Sequence, residues 1–349
     1  MGATSHDGAA DDRRQLSALP AERFAIPNGA DLGYVRRIRA QGGLMARPFR
    51  FGVNLLTLES AEAWRAKCRH AEQLGYDVLL TPDHLGNPAP FPALATAAEA
   101  TERPRLGTFV LNTGFWNPAL LAREVATCDA LTDGRLELGL GAGYVKAEHD
   151  SAGLPFGSPR ERVDHLVHTV AELERLLTES EHRPRPVQSP RPPLLLGGNG
   201  DRLLRLAARH ADIAAFTGAV QAPGKPQGAL QLISPEALEE RVGAFRRFAA
   251  EAGRAEGADE PGEAIELNYL IQMAGPSADR RAKVRELSGY APGLTEDQML
   301  EHPALLLGDA KEMAEQLRAH RKRFGFSYFT VLEHNMEALA PVIEELRGS

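Results

Sequence analysis

The stretch NPALLAREVATCDALTDGRLELGLGAGY, residues 117–144, decides the fold. Pro118 stands where a helix begins, a place suited to proline because its missing N–H has no partner there anyway. The helix reaches Leu131, with Leu121, Val125 and Cys128 on its apolar face. A short turn later, Arg135–Leu140 reads as a strand, and it runs directly into Gly139, Gly141 and Gly143. Glycines at a strand's end let a flat ligand approach the backbone; a plain tight turn is the alternative. The third glycine comes one position early for the G-x-G-x-x-G dinucleotide fingerprint.

The same alternation continues in both directions. Strands are expected at Phe49–Asn54, Asp77–Thr81, Leu106–Leu111, Arg135–Leu140, Pro193–Leu196, Asp212–Phe216, Ile265–Gln272 and Phe326–Leu332. Between them lie helices with readable ends. Ser60 caps one that stops before Gly75, and Ser234 caps another that stops before Gly253. Eight strands alternating with helices predict an α/β fold, a (β/α)8 TIM barrel; a doubly wound open sheet is the runner-up. The three longest connections, Gly141–Ser158, Thr217–Ser234 and Met273–Gly308, all follow strands. In a barrel such segments gather at the C-terminal face, where active sites sit.

Composition sets the outer bounds. The chain has 349 residues, 43% hydrophobic and 25% charged, which is material for one large barrel. A net charge of −7 argues against nucleic acid as the main partner. No apolar run is long enough for a transmembrane helix, and the N-terminus lacks the apolar segment of a secretory signal. A cytoplasmic location is therefore expected. Cys68 and Cys128 fall on apolar helical faces and read as buried small hydrophobes. Residues 1–47 show no sustained period and are expected to form a loosely docked or poorly ordered arm, with a short helix at Tyr34–Arg39; the catalytic domain is expected over 48–349. Met45 is an alternative translation start, which intact mass would decide.

Several residues carry chemistry. Thr81-Pro82-Asp83-His84 follows the second strand, so His84 is placed at the barrel mouth as a proton donor or hydrogen-bond donor. Asp83 beside it would favour the imidazolium; a structural hydrogen bond is the bland reading. Leu196-Gly197-Gly198-Asn199-Gly200 lies between a strand and a helix, where free N–H groups bind phosphate. Asp201 would oppose an anion if it turned inward. His165 and His168, three apart on a helix beside Asp164, read as a partly exposed face, and no metal site is expected. Arg160, Lys225, Arg280, Arg281 and Lys283 lie in or near the long loops, either holding an acidic group or as solvated charge.

Taken together, Asn117–Glu124, Leu131–Arg135 and Gly139–Gly143, followed by Pro155-Phe156, Arg162, Pro193–Gly200 and Ala207–Asp212, resemble the luciferase-like superfamily. The resemblance covers roughly Phe49–Leu346. It implies a (β/α)8 barrel, commonly a homodimer, that binds coenzyme F420 (a deazaflavin) or, as the alternative, FMN. Members are hydride-transferring reductases and dehydrogenases, or monooxygenases that need oxygen and a separate reductase. The chain is more similar to the deazaflavin branch, which implies hydride transfer to a small organic substrate, probed against two rivals: FMN-dependent oxygenation, and cofactor binding without turnover. Position by position, the resemblance makes His84 catalytic and places it beside the cofactor ring, with Asp83 in the cofactor-binding set. It makes Phe109-Val110 a non-prolyl cis peptide behind the ring, and assigns Gly197, Gly198 and Thr217 to phosphate. Asn54, Asn112 and Asn199 complete the expected cofactor set. Tyr144 stands where the sugar-phosphate dehydrogenases of the group carry a catalytic glutamate, so Tyr144 is expected to assist or orient substrate, and sugar-phosphate oxidation is not expected. Glu148, further along, is a more general feature of the family.

Overall fold

The computed structural model describes residues 47–179, 181, 183–225, 229–254 and 265–347. Apart from Arg47, the expected arm, its helix and Met45 lie outside them.

The strands are β1 (Arg50–Asn54), β2 (Val78–Thr81), β3 (Arg105–Thr108), β4 (Leu111–Asn112), β5 (Leu136–Gly141), β6 (Leu194–Gly197), β7 (Ile213–Phe216), β8 (Ala219–Gln221), β9 (Leu230–Leu232), β10 (Glu266–Ile271), β11 (Met273–Gly275), β12 (Leu305–Leu307) and β13 (Tyr328–Leu332). Nine of them form one parallel sheet in the order β3-β2-β1-β13-β10-β7-β6-β5-β4, and β3 also pairs with β5. That last pairing closes the sheet on itself. Counting β3 and β4 as one interrupted stave, this is a (β/α)8 barrel.

The interruption departs from the continuous strand expected over Leu106–Leu111. Gly107 pairs with Glu137 and Leu111 with Leu140, so four steps on one side face three on the other. One extra residue makes a bulge. Thr108 fills the gap in the ladder: its Oγ1 donates to the Gly139 carbonyl and accepts from the Gly139 N–H, each at 2.8 Å. Room for this comes from glycine, since a Cβ on Gly139 would lie 2.0 Å from the Thr108 carbonyl oxygen.

The helices around the barrel begin and end where side-chain chemistry sets them. Ser60 caps α1 (Ala61–Gln73), Asn117 caps α3 (Pro118–Leu131), Ser158 forms a capping box with Glu161 on α5 (Pro159–Thr178), and Ser234 caps α7 (Pro235–Glu251). Between α1 and α3 lies α2 (Pro90–Ala100). Near the C-terminus, Asp309 and Glu312 form a capping box on α10 (Ala310–Phe324), followed by α11 (Met336–Leu346). On α5 the buried Leu166, Val170, Leu173 and Leu177 recur at helical spacing and make its inner stripe.

Inside the barrel, Val78, Leu80, Leu195, Ile213, Ala215 and Tyr328 form a cluster of their own, with Phe109 and Val110 packed against it. This plug separates the two ends of the barrel. Cys68 and Cys128 are buried in the outer core, as their helical faces implied, and burial pushes both thiols up to about 12.

The three long connections all carry structure. The first holds α4 (Lys146–Ala152), the second the antiparallel pair β8–β9, and the third α8 (Arg280–Glu286), α9 (Glu296–Glu301) and the parallel pair β11–β12. Between α5 and α7, α6 (Asp201–His210) follows β6.

Candidate active site

A cavity of about 690 Å³ opens at the C-terminal ends of the barrel strands. That volume is typical of cofactor and ligand sites. Asn54, Asp83, His84, Phe109, Val110, Asn112, Tyr144, Gly197, Gly198, Asn199 and Thr217, the residues that the family resemblance assigns to catalysis or cofactor binding, line it.

His84 follows β2 by three residues. Its Nδ1 lies 2.8 Å from Oε1 of Glu148, on α4. The expected partner, Asp83, is engaged elsewhere: its Oδ2 accepts from the Trp116 indole N–H at 2.9 Å and the Asn112 backbone N–H at 3.2 Å. Burial raises the Asp83 pKa, against the pull of those two hydrogen bonds. Asp83 thus ties the β2 loop to the turn after β4, and Glu148 is the carboxylate that orients the histidine. The Tyr144 ring meets the His84 ring edge-on, with centroids 5.7 Å apart. Burial, with Glu148 nearby, raises the Tyr144 pKa, so the phenol keeps its proton at neutral pH and has an O–H available to donate.

The back of the cavity is the bulge. The Phe109–Val110 peptide is cis, and the Phe109 carbonyl accepts from Asn54 Nδ2 at 3.4 Å. A Cβ on Gly141 would lie 2.7 Å from Val110 Cγ2. The strand-end glycines therefore make room for the Phe109–Val110 wall as well as for a ligand. The Asn112 side chain serves the scaffold: Oδ1 accepts from the Gly114 N–H at 3.1 Å, and Nδ2 meets His149 Nε2 at 3.0 Å.

Opposite lies the start of α6. Most of the long helices carry a side-chain cap, whereas the N-cap of α6 is Gly200 and has none. Gly198 has φ +149° and gives its N–H to the Ala215 carbonyl, turning the chain past β6 into the cavity. Asp201 does not face an incoming anion, because its carboxylate pairs outward with Arg241 at 2.5 Å. Asn199 Nδ2 donates to Thr217 Oγ1 at 2.9 Å and to the Ala219 carbonyl at 2.7 Å. Asn199 Oδ1 and Asn54 Oδ1 are buried acceptors on the wall with no partner. These features fit a phosphate-bearing, ring-shaped cofactor: an uncapped helix start for the phosphate, and free amide oxygens for N–H or O–H donors.

The basic residues of the long loops are not part of the site. None of the five lines the cavity. Arg160 pairs with Asp164, Arg281 with Asp297 and Lys283 with Glu286, while Arg280 donates to the Leu300 carbonyl and Gln316. His165 bonds the Thr113 carbonyl, and no metal-binding cluster occurs among the described residues. The role of Glu148 toward His84 is absent from the sequence reading, because the two are 64 apart in the chain. The i,i+4 pair Lys146–Asp150 and the left-handed Gly153 after it were the available signal for α4.

The sequence profile of the luciferase-like monooxygenase family matches residues 43–328. The chain belongs to this family. Among curated relatives, this luciferase-like barrel is 40% identical over 120 residues to an F420-dependent glucose-6-phosphate dehydrogenase of Intrasporangium calvum, covering 31% of this chain and 36% of that one. It is 28% identical over 146 residues to the oxygenase component of a flavin-dependent trigonelline monooxygenase of Acinetobacter baylyi, covering 36% and 40%. The matched segments thus span about a third of those relatives' length. Among solved structures, an F420-dependent secondary alcohol dehydrogenase aligns with a TM-score of 0.66 at 18% identity, over 86% of this chain and 100% of the other. A coenzyme F420-dependent tetrahydromethanopterin reductase of Methanopyrus kandleri gives 0.65 at 19% identity, with the same coverage. At such identities the likeness is one of fold. None of the described helices is long and apolar enough to cross a membrane.

Proposed function

We propose that the protein is an oxidoreductase that transfers a hydride between coenzyme F420 and a small organic substrate, in the direction of substrate reduction, at the barrel mouth. The observation that carries this reading is one cavity holding both a carboxylate-oriented histidine and an uncapped, glycine-flanked helix start. The dehydrogenase relative from Intrasporangium calvum supports the deazaflavin over FMN.

When bound, the deazaflavin supplies the hydride. Gly197, Gly198 and the first turn of α6 would hold its phosphate, and the Phe109–Val110 wall would back its ring. His84 delivers the proton that accompanies the hydride to a C=C, C=O or C=N group. Glu148 accepts the Nδ1–H before and after that transfer, so the ring keeps its orientation and Nε2 is the nitrogen that faces substrate. Tyr144 donates a hydrogen bond that aligns the substrate's polar atom. Asp83 holds the loop that carries His84.

Under argon, with reduced F420 followed by its absorbance, a panel of enones, imines and ketones yields at least one turnover substrate. His84→Ala then lowers kcat about 100-fold or more, the range for loss of a positioned proton donor, with cofactor Kd within about threefold. Unchanged turnover in that variant removes the role given to His84. Product formed only with reduced FMN and oxygen replaces hydride transfer by oxygenation.

A further inference from the structure

We infer that the substrate, on the hydride-transfer reading above, is an uncharged molecule with an apolar body, not a phosphorylated or otherwise anionic one. Three separate post-strand segments bring large, solvent-exposed apolar side chains to the cavity wall. Tyr144, after β5, is 43% exposed; Val220 and Leu230, on the two strands of the β8–β9 pair, are 41% and 48% exposed; Tyr290, after α8, is 44% exposed. Exposed apolar side chains gathered around one concave site, rather than scattered singly, mark a surface that a ligand covers. The charge on the same wall points the same way. Its carboxylates, Asp83 and Glu148, are already engaged, Asp83 by two N–H donors and Glu148 by His84, and no lysine or arginine stands among the described lining residues to pair with an anionic substrate. Two of the loop cations, Arg281 and Lys283, are engaged in ion pairs outside it. The cradle at Gly197–Gly200 is the place for one phosphate, and the cofactor takes it. Neutral amides such as Gln231 and Gln272 also line the cavity, enough to orient one polar group without demanding charge.

Two fluorescent probes that share one aromatic body separate charge from shape. N-phenyl-1-naphthylamine is neutral, and 1-anilinonaphthalene-8-sulfonate is the same skeleton with a sulfonate. Titrated into the full chain with and without F420, the neutral probe binds at least tenfold more tightly than the sulfonate. A Val220→Lys plus Leu230→Lys variant, changed only at exposed positions, weakens the neutral probe at least fivefold and narrows or inverts the preference. Glucose 6-phosphate at millimolar concentration displaces neither probe. Sulfonate binding as tight as that of the neutral probe, displacement by glucose 6-phosphate, or no response to the double lysine variant overturns the inference. The hydride-transfer reading fails separately: neutral-probe binding without any F420 binding keeps the apolar site and discards the cofactor.

Discussion

The two ends of the barrel handle charge in opposite ways. At the strands' N-terminal ends, Arg50 donates to Glu266 at 2.5 Å and to Glu137 at 2.6 Å, and Arg105 adds a second bond to Glu137 at 2.6 Å. Burial works against the Arg50 charge, but Glu137 and Glu266 more than restore it and hold its pKa above the usual value. The guanidinium also lies over the Tyr328 ring, 4.6 Å from its centroid. Here ionic groups mainly meet one another. At the C-terminal ends, by contrast, Asn54 and Asn199 leave acceptors free, α6 lacks a cap, and apolar rings stand in solvent. One end is tied together by ion pairs that serve the fold, with Glu137 Oε2 left over as an unpartnered oxygen; the other leaves groups on a cavity wall available for a ligand. This is the division expected of barrel enzymes, and it assigns stability effects to one end and functional effects to the other.

The largest expected effect tests the closed end. Arg50→Met takes from buried Glu266 its closest cationic partner and leaves Glu137 with Arg105, and costs about 3–5 kcal/mol of stability, as loss of one partner of a buried pair does. Urea unfolding measures it, with F420 affinity of the folded protein within about twofold. A loss under about 1 kcal/mol would place the network's weight elsewhere.

Next comes acid. His302, bonded to the Ile233 carbonyl and accepting from the Ala304 N–H, is pushed down to about 4 by burial, and His320 to about 3 by burial and then by His302 and nearby arginines. Both folded pKa values lie below the unfolded value of about 6.5, so the unfolded chain binds more protons in acid. Their contribution is complete above about pH 6.5 and is lost as pH falls toward 4 and then 3. For His302 it amounts to about 3 kcal/mol at most. His302→Gln flattens the stability profile between pH 6.5 and 4; an unchanged profile would contradict the neutral buried ring.

Smaller effects belong to the mouth. Glu148→Gln keeps a polar partner near His84 but removes the carboxylate. It lowers kcat about tenfold, roughly 1.4 kcal/mol, and moves the pH–rate profile while KM changes little. A change in KM alone would make Glu148 a substrate contact instead. Gly198→Ala brings a Cβ to 2.8 Å from Leu203 Cδ1 at a φ that favours glycine, costs about 1–2 kcal/mol of stability, and weakens F420 binding of the folded protein about fivefold, near 1 kcal/mol.

The barrel and much of the site wall were legible in the sequence because their signals are local. Ser60 and Ser234 sit one residue before their helices, and Gly75 and Gly253 follow the ends of the same two with positive φ. Strand ends in a barrel converge by topology, so residues placed just after strands met in one cavity. What failed to read was whatever depends on partners far along the chain. Leu106–Leu111 is apolar enough to look continuous, and its break shows only in the register against β5. The β8–β9 pair has strands of three residues with exposed Val220 and Leu230, too short for a period. The choice of Glu148 over Asp83 as partner of His84 follows from how α4 packs over the mouth, which no spacing encodes.

Binding of the cofactor tests the central claim most directly. A fluorescence titration of the purified chain with oxidised F420 and, separately, FMN is expected to show saturable F420 binding at least tenfold tighter than FMN, a gap of about 1.4 kcal/mol. It should survive Arg50→Met and weaken with Gly198→Ala. A preference for FMN would contradict the deazaflavin assignment, and binding of neither at several hundred micromolar would contradict the function proposed for the barrel mouth.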